Sequence, residues 1–149
     1  MKLVIQRVEN ANCKVNENIT GIIDTGYMIL VGLGLNDDKD VVAKMAEKVN
    51  KLRIFSDENG KINLSIHDVK GKILSISQFT LYADCAKGNR PSFTNALGGQ
   101  EAKELYLYFN ECLRKLGIEV EEGIFGADMK IALVNDGPVT IILDSEDLW

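Results

Sequence analysis

With 149 residues, 46% of them hydrophobic and 26% charged, the chain has an ordinary globular composition. Its length suits a single domain over residues 1–149 that needs neither disulfide nor metal to be stable. The net charge of −5 and pI of about 4.9 exclude broad binding to duplex DNA, which depends on neutralising many phosphates, but leave room for a small nucleic-acid footprint.

Cys13, Cys85 and Cys112 are odd in number, scattered and without a CxxC pair, which predicts a reducing compartment and hence the cytoplasm. The apolar run after Lys2 is too short for a secretory signal. The longest apolar stretch, Tyr27 to Leu35, is about half a membrane span, so no membrane association is expected.

In chain order, Lys2 to Val15 is rich in Val and Ile and predicts a strand, followed by a turn at Asn16-Glu17-Asn18 and a return strand over Ile19 to Ile23. Tyr27 to Leu33 predicts a central strand. Gly32-Leu33-Gly34 lacks the third glycine of a dinucleotide loop, because Asp37 stands there. Asn36 or Asp37 caps a helix from about Lys39 to Asn50, with Val42, Met45 and Val49 on one face. Lys51 to Phe55 predicts another strand, and Asn59-Gly60 a tight turn. Ile62 to Lys70 is ambiguous between a short strand and irregular chain.

Lys72 to Leu81 predicts a strand with Leu74, Ile76, Gln78 and Thr80 on one face and Ser75, Ser77, Phe79 and Leu81 on the other. Both faces end in polar residues suited to a pocket. Ala83 to Gly98 is a loop around Pro91. Gly99 to Leu116 predicts a helix through Ala102, Leu105, Phe109, Cys112 and Leu116, closed by Gly117. Short strands follow at Ile118 to Glu122, Ala127 to Val134 and Val139 to Leu143. Between the last two, Gly137-Pro138 makes a rigid tip whose carbonyls can be aimed. Many strands and two main helices predict an α+β, β-rich fold built on an antiparallel or mixed sheet.

The chemistry is unusual in what it lacks. The one histidine, His67, lies in the ambiguous segment, and no G-x-S-x-G or clustered zinc ligands occur. An enzyme of this sequence works without a histidine base, metal or cofactor.

Ser77-Gln78-Phe79-Thr80-Leu81, Gly88-Asn89-Arg90-Pro91-Ser92-Phe93 and Asn135-Asp136-Gly137-Pro138-Val139-Thr140 together resemble the D-aminoacyl-tRNA deacylases. Ile5 to Val8, Arg53 to Asp57 and Phe125 to Met129 extend the resemblance, in order, from Met1 to about Leu143. The tail Asp144 to Trp149 carries none of these words and reads as surface.

The resemblance implies hydrolysis of the ester joining a D-amino acid to the terminal adenosine of tRNA. It also implies a homodimer with active sites at the subunit interface and a cis Gly137-Pro138 pair entering the partner's pocket. Proline statistics alone, with cis in about 5–6% of X-Pro bonds, predict trans. By resemblance, Ser77, Gln78 and Phe79 shape the adenosine pocket and Phe125 and Met129 lie against its base. Arg7 braces the tip, and Arg90 and Lys87 meet phosphates. Thr80 is either a nucleophile or a positioning hydroxyl, and the N–H groups around Phe79 and Thr80 are oxyanion donors. Glycyl-tRNA, being achiral, is expected to react too. The alternatives are an editing hydrolase of different chirality and a non-catalytic aminoacyl-tRNA-binding dimer.

Overall fold

The computed structural model describes residues 1–149. Its frame is one very long strand, β1 (Lys2–Val15), which carries neighbours along both edges. On one edge, β3 (Gly26–Gly32) pairs with its first half and β2 (Asn18–Ile23) with its second. On the other edge β8 (Lys130–Asp144) runs antiparallel along nearly its whole length. Then β6 (Lys72–Ser77) joins β3 in parallel, and β7 (Val120–Glu122) joins β6 in parallel. The sheet is therefore mixed, and it curls towards closure. A Cβ on Gly21 of β2 would stand 2.9 Å from the Glu122 carbonyl of β7. A separate hairpin, β4 (Phe55–Ser56) and β5 (Ile62–Leu64), turns at Gly60 with φ +74°.

Two helices cover one face. In α1 (Lys39–Asn50) the N-cap is Asp38, whose side chain accepts from Val41 N–H at 2.9 Å. It is not Asn36 or Asp37 as expected, because the Asp37 carboxylate turns back to accept from Gly34 N–H at 2.6 Å. Val42, Met45, Ala46 and Val49 are buried. In α2 (Gly99–Lys115), Ala102, Leu105, Tyr106, Phe109, Asn110 and Leu113 are buried. The expected stripe is rotated: Cys112 and Leu116 only lean on the core, and Tyr106 and Leu113 take the interior. Gly117, with φ +86°, ends the helix as a left-handed residue. These helices and the sheet enclose a core of 23 buried residues. The other sheet face wraps a second cluster of Val8, Ala11, Cys13, Ile23, Met28, Leu74 and Ile76, against which Met129 and Ile131 pack.

Four further sequence expectations change. The strand foreseen from Lys51 to Phe55 is only Phe55–Ser56. The strand from Lys72 stops at Ser77: after Gln78 N–H donates to Val31 C=O, Phe79–Tyr82 forms a 3-10 turn. The two strands foreseen around Gly137-Pro138 are one strand, since both flanks pair with β1. Gln6 faces Thr140 and Val8 faces Asn135, so residues 136–139 are extruded as a bulge. Finally, Asp144–Trp149 is not a loose tail. Asp144 caps a short helix, α3 (Ser145–Leu148), whose buried Ser145 hydroxyl accepts from the Met1 ammonium at 2.6 Å.

Candidate active site

The end of β6 and the segment before β8 bound a cavity of about 320 Å³. Ser77, Gln78 and Phe79 form one wall. Phe125, Gly126, Ala127 and Met129 form the other, and Ile76 and Ile131 lie between them. Five of the residues singled out in the sequence therefore meet: Ser77, Gln78, Phe79, Phe125 and Met129. Ile76, Ile131, Gly126 and Ala127 were not foreseen, although Ile76 and Ile131 sit at alternating positions of strands read as such.

The chain turns here for a local reason. At Gly32, the last residue of β3, a Cβ would lie 3.0 Å from Leu81 Cβ and 3.1 Å from the Gln78 carbonyl. At Gly34 a Cβ would come within 2.7 Å of the Tyr82 ring. The Gly32-Leu33-Gly34 run is thus the seat of the 79–82 turn, which presses against backbone where larger residues would hold it away. The two glycines stand in plain view in the sequence, but what packs on them lies about fifty residues further along the chain. Tyr82, half-buried there, directs its hydroxyl at Asp37 across 3.5 Å, and burial pushes its phenol above the ordinary range.

The turn's first bond runs from Leu81 N–H to Gln78 C=O, so the N–H groups of Phe79 and Thr80 have no acceptor inside it. Thr80 is exposed, and its hydroxyl accepts from the Gln78 amide at 2.6 Å. No histidine, acid or lysine bonds to it. The far wall is equally determined: a Cβ on Gly123 would overlap Met129 Sδ, so the thioether rests on bare backbone. Phe125 lies 5.9 Å from the ring of Tyr106. The Tyr106 hydroxyl, its phenol pushed up by burial, donates to the Ser75 carbonyl at 2.8 Å.

Arg7, Gly137 and Pro138 form a second constellation. The Gly137-Pro138 peptide is cis, which corrects the trans expectation drawn from proline statistics. Arg7 lies in β1 directly opposite the bulge and is 6% exposed. Its Nε donates to the Asp136 carbonyl at 3.0 Å and pairs with the Asp136 carboxylate at 3.2 Å, while Nη1 donates to the Ile54 carbonyl at 2.8 Å. The guanidinium therefore ties the bulge to the chain preceding β4, a partner the sequence did not reveal. Gly137 has φ +125°, and a Cβ there would stand 3.0 Å from Arg7 Nη2 and 3.0 Å from Val139 Cγ2.

Gly137 and Pro138 are not among the walls of the cavity in their own chain. Arg90 and Lys87 are exposed on the loop after the 3-10 turn, also outside those walls. His67 is exposed and bonded to Asn50 Oδ1 at 2.6 Å, away from the cavity. No group of three or more His, Cys, Asp or Glu side chains converges to hold a metal ion.

Comparison with known proteins decides the family. The model of the D-Tyr-tRNA(Tyr) deacylase family matches residues 4–144. A curated D-aminoacyl-tRNA deacylase of Bacillus pumilus (strain SAFR-032) is 54% identical over 147 residues, covering 99% of this chain and 100% of its own. The chain belongs to the D-Tyr-tRNA(Tyr) deacylase family. It is accordingly a hydrolase acting on the ester bond of D-aminoacyl-tRNA.

Among solved structures, one described as c-Myc DNA Unwinding Element Binding Protein superposes with a TM-score of 0.90 at 39% identity, covering 97% of this chain and 98% of its own. A probable eukaryotic D-amino acid tRNA deacylase superposes with a TM-score of 0.83 at 15% identity, covering 95% and 97%, and shares the fold. No helix of the deacylase is long and apolar enough to cross a membrane.

Proposed function

We propose that the deacylase is a chiral proofreader whose site is completed by a second copy of the chain, with the Gly137-Pro138 bulge entering the partner's cavity. The observation that carries this reading is the separation just described: a well-braced bulge that forms no wall of its own chain's cavity. The strand bearing it supports the reading. β8 pairs only with β1, leaving a 15-residue edge free, and its Val134 and Ile142 side chains are 47% and 71% exposed. Long apolar edges of this kind invite pairing with another chain.

In this reading the terminal adenosine occupies the cavity, with its base against Phe125 and Met129 and its ribose near Ser77 and Gln78. Carbonyls of the inserted bulge accept from the substrate α-ammonium and fix the α-carbon. An L side chain then points into backbone and a D side chain to solvent. Exclusion of this sort discriminates where better binding of one small group cannot. Achiral glycyl-tRNA has no side chain to exclude and reacts as well. The enzyme works in the cytoplasm, where its substrate is made, without metal or cofactor.

The ester is already activated, so the protein positions it and stabilises charge. Phe79 and Thr80 N–H groups, unused within the turn, suit the developing oxyanion. A single such donor typically contributes ~2.7–4 kcal/mol. Water attacks, assisted by the ribose 2′-hydroxyl. Thr80 serves as a positioning hydroxyl because no base bonds to it; its partner is the Gln78 amide, which donates rather than accepts. Thr80→Ala should keep most of the turnover in a single-turnover assay. Its complete loss would make Thr80 the nucleophile.

The deciding experiment compares deacylation of D-Tyr-tRNA and L-Tyr-tRNA without added metal. Release from the D form alone is expected. Release from both would mean the filter is missing, and binding without release would mean a non-catalytic module.

A further inference from the structure

Beyond the cavity, two aromatic rings stand in solvent at its mouth. Phe79, a wall residue, is 54% exposed, and Phe93 is 37% exposed. Their centroids are 5.0 Å apart and their planes cross at 70°, an edge-to-face pair. Leaving this much of two large rings in solvent forgoes part of the burial each could supply, so folding alone gives no reason for the arrangement.

Phe93 is also held firmly. Asp84 and Ser92 exchange two backbone bonds, both 2.8 Å long. On the other side, Ala96 N–H donates to the Phe93 carbonyl at 3.0 Å and Leu97 N–H to the Leu33 carbonyl at 2.9 Å. Pro91 fixes φ two residues before the ring. Between the anchored ends the loop presents Lys87 and Arg90, both exposed and neither in an ion pair. Its one carboxylate, Asp84, is engaged in accepting from Ala86 N–H at 2.8 Å.

A fixed, exposed aromatic ring beside unpaired cations is the arrangement by which proteins hold single-stranded nucleotides, stacking on the base and neutralising the backbone. We propose that Phe93 is the platform of a second nucleobase subsite, which takes the nucleotide preceding the terminal adenosine, with Lys87 and Arg90 facing the adjoining phosphates. The inference rests on reading the cavity as the adenosine site, since Phe79 then connects the two bases. It explains how an acidic chain engages an RNA end. The contacts are few, local and aromatic, and the cationic part is confined to one loop.

The test measures what the extra nucleotide adds. Adenosine and cytidylyl-adenosine (CpA) serve as non-reacting probes in calorimetry, and their D-tyrosyl esters as substrates. Stacking of one base contributes about 1–3 kcal/mol, so the wild-type chain should prefer CpA over adenosine by about 5- to 150-fold, in Kd and in kcat/KM. Phe93→Ala should lose most of that preference, and Phe93→Tyr should keep it. A wild-type preference below twofold, or one that Phe93→Ala leaves intact, overturns the subsite. So does dissociation of the protein by Phe93→Ala in sedimentation, which would make the ring a subunit contact. Failure of the deacylase reading looks different: the preference for CpA would be measured while neither ester was cleaved.

Discussion

Gly137→Ala should lower kcat/KM on D-Tyr-tRNA by at least about a hundredfold while the protein remains folded. At φ +125° an alanine is strained whatever the space around it, at a cost of about 1–3 kcal/mol. Its Cβ would also stand 3.0 Å from Arg7 Nη2 and from Val139, closer than those atoms tolerate without giving way. The stability cost corresponds to a fall in Tm of roughly 2–12 °C for a chain of this size. On the proposed reading the activity cost is larger, because the bulge has to present its carbonyls within a fraction of an ångström and a displacement of about 1 Å is enough for a hundredfold loss. The obstacles to the new methyl are the enzyme's own guanidinium and valine, so the variant works by moving the filter. A displaced filter discriminates less, and the D/L ratio should fall with the rate. Thermal unfolding and both kcat/KM values, measured on the same preparation, check this. Activity that falls only in step with the folded fraction, or an unchanged D/L ratio, would count against the bulge as the chiral element.

How far the sequence foretold this site depends on whether each feature was written locally. The helices over residues 39–50 and 99–115 were readable because 3.6-residue periodicity and a closing glycine such as Gly117 are local properties, although the cap of the first is Asp38 and not Asn36 or Asp37. The bulge at 136–139 was not. Asn135-Asp136-Gly137-Pro138 has the composition of a connecting turn, and only the pairing of both flanks with β1, more than a hundred residues away, makes it an extrusion from one strand. The end of β6 was hidden for a similar reason. Alternation continues through Leu81, but the partner strand β3 stops at Gly32, and the ladder stops with it. Burial of aromatic and charged residues was equally non-local. Phe79 and Phe109 are alike in composition, yet one is exposed and the other fully buried. Arg7, in a run that reads as a plain strand, is more buried than many apolar residues. The residues proposed to carry chemistry were recognisable as short words, two of which also contain Ile54 and Phe93, but what Ile54, Gly123 and Phe93 touch came only from the fold.

Arg7→Lys should reduce kcat on D-Tyr-tRNA by about ten- to a hundredfold with little change in KM. The guanidinium reaches the Asp136 carbonyl through Nε and the Ile54 carbonyl through Nη1, two acceptors in different segments served by one planar fork. An ammonium is a single centre on a flexible stem and cannot keep both bonds in that geometry. The bond to Ile54 is buried, so its carbonyl is left without a donor at a cost of about 1–3 kcal/mol. The Asp136 carboxylate matters less. It is 44% exposed, and exposed ion pairs are worth about 0–1 kcal/mol, so Asp136→Asn should stay near wild type because the backbone carbonyl bond survives. The split between kcat and KM separates a positioning role from a purely structural one. Arg7 is not among the walls of the cavity, so on the proposed reading binding of the tRNA end should persist while the loosened bulge places the α-carbon poorly. An Arg7→Lys enzyme with a lowered Tm but wild-type kcat would show that the bulge holds its shape without the brace. Equal losses for Arg7→Lys and Asp136→Asn would instead place the effect in the ion pair.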